Sequence, residues 1–201
     1  GVKKGSKQEY LIKDFNKALK AMKKDGTYDK IMKKWLGNSV NENSTTPSAS
    51  LHLTGDANKK ATPVKNSYTI VLDSSFAPFE FQNSSGGYTG IDVELIKAIA
   101  KQQGFKIKLQ YPGFDAALNA VQSSQADGVI AGMTITDERK ATFDFSDAYY
   151  SANTIVAVPS DSKISKYADL KGKTVGAKKG TASYVWLTQH ASQYGYTVRA
   201  Y

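Results

Sequence analysis

Charged and aromatic residues directly follow two predicted strands of this chain. Residues 68–73 predict the first strand, which ends at Asp73, and Phe76 follows in a loop where the core does not require an aromatic side chain. Residues 127–132 predict a second, buried strand, and a loop leads from it to a helix start that carries Arg139. Open α/β sheets bind ligands at the carboxyl ends of their strands, so these positions indicate a ligand site.

Arg139 is suited to binding an anionic group. Its guanidinium is a planar fork of donors that matches a carboxylate, and the N-terminus of a helix adds unpaired N–H groups. A simpler alternative is that Arg139 pairs on the surface with Asp144 or Glu138. Similarly, Asp73 could cap a turn while Phe76 packs locally, and the residues themselves leave both alternatives open.

Other chemistry-bearing patterns in the chain are weaker. The triplet Gly-Lys-Thr at 172–174 resembles the end of a phosphate-binding loop, but Tyr167 stands where that motif needs glycine, and a strand follows instead of a helix. His52 and His190 are isolated, and cysteine is absent, which excludes disulfides, thiolate nucleophiles and cysteine metal sites. We therefore predict no cofactor, no metal and no nucleotide.

The net charge of +9 is concentrated near the start of the chain. Residues 1–37 hold eleven lysines against four acidic residues, while their aromatic residues lie at core spacing. This favours a lysine-coated, solvated helix face over nucleic-acid binding. No apolar run approaches the length of about 18 residues that spans a bilayer. No signal peptide opens the chain, so any export signal or membrane anchor is expected outside this stretch.

The chain divides into three parts by composition. Residues 1–37 predict a strand end and two amphipathic helices, which need a further body, within this chain or outside it, to bury their apolar faces. Residues 38–66 are rich in Asn, Ser and Thr, and predict a linker. Residues 67–201 alternate strands with helices of about ten residues, which predicts an α/β fold with a parallel sheet.

A β-branched run at 151–158 predicts a long strand and the hinge between two lobes. The first lobe is expected to be nearly whole. The second begins after the hinge and is truncated, because the chain ends in the middle of a predicted strand–helix–strand unit.

The part from Ser67 to Tyr201 resembles the polar-amino-acid binding proteins of ABC importers, which have the type II periplasmic-binding fold. The glutamine-binding members are the most similar, and residues 1–37 resemble the C-terminal end of the same family. The resemblance therefore implies that this chain holds the end of one binding domain, a linker, and the beginning of a second binding domain. Such a boundary occurs where tandem binding domains are fused to a membrane-spanning permease. The stretches that carry it are VLDSSFAPFEF (71–81), YTGIDVELIKAIAKQQG (88–104), GFDAALNAVQSSQADGVIAGMTITDERKATFDFSDAYY (113–150) and DLKGKTVGAKKGTAS (169–183).

The resemblance also implies a set of ligand-binding residues in the first lobe. Phe76 and Phe114 would sandwich the aliphatic part of the ligand. Arg139, together with Thr134, would hold the α-carboxylate. The backbone carbonyl of Gly132 would accept a hydrogen bond from the α-ammonium.

Further residues would complete the site according to the same resemblance. Asp73 and Lys178 would reach a side-chain amide of the ligand, and the amides near Thr181 and Ala182 would face the carboxylate from the second lobe. Ala182 stands where the glutamine-binding relatives carry glycine, but only a backbone N–H is needed there. The family's second-lobe aspartate for the α-ammonium is expected beyond Tyr201.

The resemblance implies a binding protein and not an enzyme. We expect capture of a polar amino acid, favoured as glutamine, at the extracellular face of the cell membrane, with tethering through segments outside this chain. Delivery would be to an ABC permease in the same polypeptide. The alternatives are the ligand-binding domain of a receptor, or a dehydratase-like enzyme on the same fold, for which Asp73 is the one obvious carboxylate.

Overall fold

A computed structural model describes residues 1–37 and 65–201. The chain separates into two units, Gly1–Ser151 and Ala152–Tyr201, and each is described by itself. The predicted linker, 38–66, lies almost wholly outside the described residues. The boundary between the units falls at the start of the predicted hinge.

The first unit is built on a three-stranded parallel sheet. Its strands are β2 (Ser67–Val71), β6 (Lys106–Gln110) and β7 (Gly128–Val129), with β2 in the centre. This confirms the predicted parallel sheet. The predicted strand at 127–132 is shorter than expected and pairs only at Gly128–Val129.

Two helices of the first unit each lead into a strand of this sheet. Helix α3 (Ile91–Gln103) leads into β6, and α4 (Phe114–Gln122) leads into β7. Apolar residues of α3 and β2 form the main core: Tyr68, Ile70, Ile91, Leu95 and Ile99 are all buried. The sheet and α3 together fix the positions of the loops that carry the candidate site.

A small antiparallel sheet lies between β2 and α3 in sequence. It consists of β3 (Ser75–Phe76), β4 (Glu80–Gln82) and β5 (Tyr88–Thr89). Gly90 joins β5 to α3 with a φ of +127°, and a Cβ there would lie 2.2 Å from the carbonyl oxygen of Phe79. Only glycine permits this close approach, which seats the start of α3 against the segment between β3 and β4.

Residues 1–37 pack on the same unit. Strand β1 (Val2–Lys3) pairs antiparallel with β8 (Phe143–Asp144), and helices α1 (Glu9–Lys24) and α2 (Thr27–Leu36) both contact α3. Their buried apolar residues belong to the core that contains Tyr68 and Ile91. The body that these helices need is therefore present in this chain. Their origin as the end of an upstream domain stays a prediction.

The second unit contains a short 3-10 turn (Tyr167–Leu170), β9 (Thr174–Ala177), α6 (Ala182–Tyr194) and β10 (Thr197–Ala200). Strands β9 and β10 are parallel, and α6 connects them over a core of Leu170, Val175, Leu187 and Tyr196. In both described parts of the chain, no helix is long and apolar enough to cross a bilayer.

The predicted strand at 151–158 is wrong. These residues carry no strand and are largely exposed. A β-branched run forms a strand only where another strand offers hydrogen-bonding partners, and none pairs with 151–158 among the described residues.

Candidate ligand-binding site

Asp73 lies two residues beyond the end of β2, at the carboxyl edge of the parallel sheet. Its side chain is buried, and its Oδ1 accepts hydrogen bonds from the backbone N–H of Ser74 at 2.7 Å and of Ser75 at 3.5 Å. Asp73 therefore caps the turn that leads into β3, as the simpler alternative expected. Its contact with a ligand side chain stays a prediction.

Phe76 presents an aromatic surface next to this turn. Its ring stacks on Phe79, with ring centroids 5.1 Å apart and an angle of 17° between the ring planes. Tyr150 contacts Phe79 edge-on at 5.3 Å. Phe79 is buried, whereas Phe76 keeps 41% of its surface exposed, so the Phe76 ring offers an apolar face on a rigid support.

Gly132 lies against the Phe76 ring. Its φ is +51°, and a Cβ at this position would stand 2.6 Å from Cε1 of Phe76 and 3.2 Å from Cδ1. The backbone can approach the ring this closely only because the residue is glycine. The structure therefore brings together two of the predicted site residues, one from the β3 segment and one from the turn after β7.

Arg139 forms a second group with Thr134 and Phe114. It lies in the single-turn helix α5 (Asp137–Lys140), which Thr136 caps by accepting a hydrogen bond from the Arg139 N–H at 3.2 Å. The Nη1 atom donates to the carbonyl oxygen of Thr134 at 2.8 Å, and the guanidinium carbon lies 5.4 Å from the centroid of the buried Phe114 ring. These contacts orient the guanidinium.

Burial is the main electrostatic influence on Arg139. It lowers the pKa of the guanidinium, and the neighbouring Glu138 opposes that shift. Arginine stays charged in proteins, so the site holds a half-buried cation. A partly desolvated, oriented guanidinium binds a carboxylate more strongly than one in bulk water does.

Sequence reasoning missed a buried polar network behind Gly132. Asp92 and Glu80 are both fully buried, and Asp92 Oδ2 accepts hydrogen bonds from the Gly132 N–H at 2.6 Å and the Tyr149 hydroxyl at 2.9 Å. Burial, and then the charge of Asp92, raises the pKa of Glu80. The available signal was a carboxylate at otherwise apolar core positions of β4 and α3.

The remaining predicted residues are contiguous in the second unit. Thr181 caps α6: its Oγ1 accepts from the Tyr184 N–H at 3.2 Å and donates to the carbonyl oxygen of Lys178 at 2.7 Å. Ala182 is the first residue of α6, and Lys178 directly follows β9. These residues thus lie between a strand end and a helix N-terminus, a setting that suits an anionic group.

The described residues offer no candidate metal centre. Across 1–37 and 65–201, no group of three or more His, Cys, Asp or Glu side chains could hold a metal ion.

Comparison with known proteins relates this geometry to binding proteins. A sequence profile of the bacterial extracellular solute-binding proteins, family 3, matches residues 2–38 and 68–193. The arginine-binding extracellular protein ArtP of Bacillus subtilis is 36% identical over 165 residues, which cover 82% of this chain and 63% of ArtP.

Two solved structures are similar in both sequence and fold. An ancestral arginine-binding protein bound to glutamine is 38% identical with a TM-score of 0.64, covering 69% of this chain and 61% of that one. The substrate binding protein of an amino acid ABC transporter is 36% identical with a TM-score of 0.60, covering 67% of this chain and 60% of that one. The chain thus spans less than two thirds of each of these relatives.

Proposed function

This chain belongs to family 3 of the bacterial extracellular solute-binding proteins, and we propose that its first unit binds the backbone groups of a free amino acid. The observation that carries the proposal is the Arg139 group. A half-buried guanidinium, oriented by the Thr134 carbonyl and the Phe114 ring, is a fitting receptor for the one anionic group that all amino acids share.

The other first-unit residues have complementary roles in this proposal. The exposed ring face of Phe76 packs against the aliphatic part of the ligand, and Phe114 closes the opposite side. The Gly132 carbonyl accepts from the α-ammonium, close to the Phe76 ring that it contacts. Carboxylate, ammonium and methylene groups would each meet a chemically matched partner.

Glutamine is the ligand that we favour. Asp73 can accept a hydrogen bond from the NH₂ group of a side-chain amide, and the ammonium of Lys178 is a donor of the kind that an amide carbonyl accepts. The ancestral arginine-binding relative that holds glutamine supports this choice, although relatives in the family are also named for arginine. In the second unit, the amides near Thr181 and Ala182 lie at the N-terminus of α6, which suits an anionic group of a ligand.

The whole protein would then deliver the amino acid to an ABC permease at the extracellular face of the cell membrane. Membership of an extracellular family and the similarity to a substrate binding protein of an amino acid ABC transporter support this role. Tethering to the membrane and fusion to the permease in one polypeptide follow only from the tandem arrangement that the sequence resembles. No step of this function changes the ligand chemically.

Titration calorimetry of the full-length protein tests the proposal. Glutamine, glutamate, asparagine, arginine and a glutamine analogue with an amidated α-carboxyl group would each be added. We expect tight binding of glutamine and loss of binding for the amidated analogue, because Arg139 would lack its anionic partner. The proposal would be overturned if no free amino acid bound, or if the amidated analogue bound as well as glutamine.

A further inference from the structure

Three segments of the first unit converge on one oxygen atom, Oδ2 of Asp92. The Gly132 N–H donates to it at 2.6 Å, and the Tyr149 hydroxyl donates to it at 2.9 Å. The same hydroxyl accepts from the Gly132 N–H at 3.2 Å. The first turn of α3, the turn after β7 and the segment before residue 151 are thereby joined at a fully buried point.

The contact fixes the conformation of Gly132 from the core side. On its other side, Gly132 lies against the Phe76 ring, and its φ of +51° leaves little room for adjustment. The amide and the carbonyl of a residue flank the same α-carbon, so holding the N–H at a set φ restricts where the carbonyl can lie. Asp92 thus constrains a backbone group without lying at the ligand surface itself.

We infer that Asp92 is a positioning residue for the amino-acid site, acting through the Gly132 backbone, with Tyr149 holding its carboxylate in place. The inference deepens the proposed function and depends on it for its effect on affinity. A bound α-ammonium would meet a residue whose backbone is already held on its N–H side before the ligand arrives. Pre-organised contacts of this kind raise affinity because less ordering is needed on binding.

The ionisation of the network agrees with this role. Burial raises the pKa of Asp92 to about 6, while the hydrogen bonds from Tyr149 and Gly132 lower it. Those donors therefore stabilise the carboxylate form, the better acceptor for the Gly132 N–H. Glu80 remains protonated beside it because its own pKa is raised, so the core does not hold two adjacent charges.

The test compares Asp92→Ala with Asp92→Asn in the full-length protein. Alanine removes the nearer of the two acceptors of the Gly132 N–H and the group that holds the other, the Tyr149 hydroxyl. The Gly132 amide should therefore exchange with solvent about tenfold faster or more, and glutamine affinity should fall by about tenfold. Asparagine keeps one acceptor oxygen and should restore both properties to within about threefold. If Asp92 had only a general structural role, Asp92→Asn would not return the exchange rate of the Gly132 amide toward its wild-type value.

Asp127→Ala is the matched control. Asp127 is another buried carboxylate that accepts a backbone N–H, from Thr69 at 2.9 Å, and it also binds the side chains of Gln8 and Lys65. Its loss should lower the midpoint of thermal unfolding while leaving the Gly132 amide and the glutamine affinity unchanged. Tyr149→Phe provides a milder probe if Asp92→Ala does not fold, and it should also speed exchange of the Gly132 amide.

The outcomes separate the two proposals. If Asp92→Ala, or Tyr149→Phe in its place, leaves Gly132 exchange and glutamine affinity at wild-type values, the positioning role is wrong. Wild-type protein that binds no amino acid would overturn the proposed function. In that case Gly132 exchange in the ligand-free variants would still decide whether Asp92 fixes this turn.

Discussion

The ring of Phe76 occupies the space in which a side chain of Gly132 would begin. A Cβ built on Gly132 stands 2.6 Å from Cε1 of Phe76, far inside van der Waals contact. The same Cβ would lie 3.5 Å from Cγ of Phe79, whose ring stacks on Phe76 at 5.1 Å and is nearly parallel to it. A side chain at position 132 would therefore meet both rings of this stacked pair.

We expect Gly132→Ala to weaken ligand binding as well as stability. The new methyl group must displace the Phe76 ring, and a non-glycine residue at φ +51° costs about 1–2 kcal/mol on its own. Calorimetry should show glutamine affinity reduced by about tenfold or more, since every 1.4 kcal/mol corresponds to a factor of ten.

Gly86→Ala is the control for this substitution. Gly86 also has a positive φ, +81°, but its Cβ position has only a side-chain atom of Gln82 at 3.8 Å. The variant should therefore lose only the folding free energy that the positive φ costs, and it should keep its affinity. Equal affinities for the Gly132 and Gly86 variants would show that the Gly132–Phe76 contact does not form part of the site.

Arg139→Ala should weaken binding of every amino-acid ligand by about thirtyfold or more, because removing one partner of a buried, hydrogen-bonded charge pair costs about 2–5 kcal/mol. Arg139→Lys should also fail, since a point charge does not reproduce the planar fork. Lys140→Ala, on the same turn and paired with Asp137 at 2.9 Å, should bind normally. If Arg139→Ala binds ligands as tightly as the wild type, Arg139 does not bind the ligand carboxylate.

Glu80→Gln should flatten the dependence of stability on pH. Burial, and then Asp92, raises the pKa of Glu80 from 4.5 to about 10, so the folded state retains a proton that the unfolded state releases. The stability contributed by this proton is complete below about pH 4.5 and is lost as pH rises toward about pH 10. Glutamine has no carboxyl proton to lose, so the variant lacks this dependence on pH.

The measurement for Glu80→Gln is urea unfolding at about pH 5, 7 and 9, which reports the free energy of unfolding directly. The variant should gain stability relative to the wild type as pH rises. The other groups that act on Glu80 are Asp92 and Asp73, and both remain in the variant. Parallel pH profiles for the two proteins would mean that Glu80 is ionised in the folded state.

Lys178→Ala should change which ligand is preferred more than whether a ligand binds. Its proposed partner is the side-chain amide, which differs between ligands, whereas Arg139 meets a group that all of them share. Calorimetry with glutamine, glutamate and asparagine should show a changed order of affinities. Lys179→Ala removes the same charge from the next residue and should preserve the order. An unchanged order of affinities in the Lys178 variant would mean that Lys178 does not contact the ligand side chain.

Local pattern was sufficient for much of the fold. The sequence predicted the strands before Asp73 and Lys178 and the helices that begin near Ile91 and Ala182. These elements are predictable because an element buried on one face carries apolar residues at regular, short intervals. The same reasoning placed Asp73 at the end of a strand and Arg139 at a helix start that follows a strand and a loop. It failed at 151–158, where β-branched residues have no strand partner.

Contacts between distant segments were decided only by the tertiary structure. Asp92 meets Gly132 across 40 residues and Tyr149 across 57, and no local repeat relates them. Asp92 stands at an otherwise apolar core position of α3, but a carboxylate in the first turn of a helix is ordinarily favourable at a solvated helix start, so the residue type argued against burial. What makes Asp92 a buried acceptor is the packing of three separate segments around it, and that packing depends on the whole first unit.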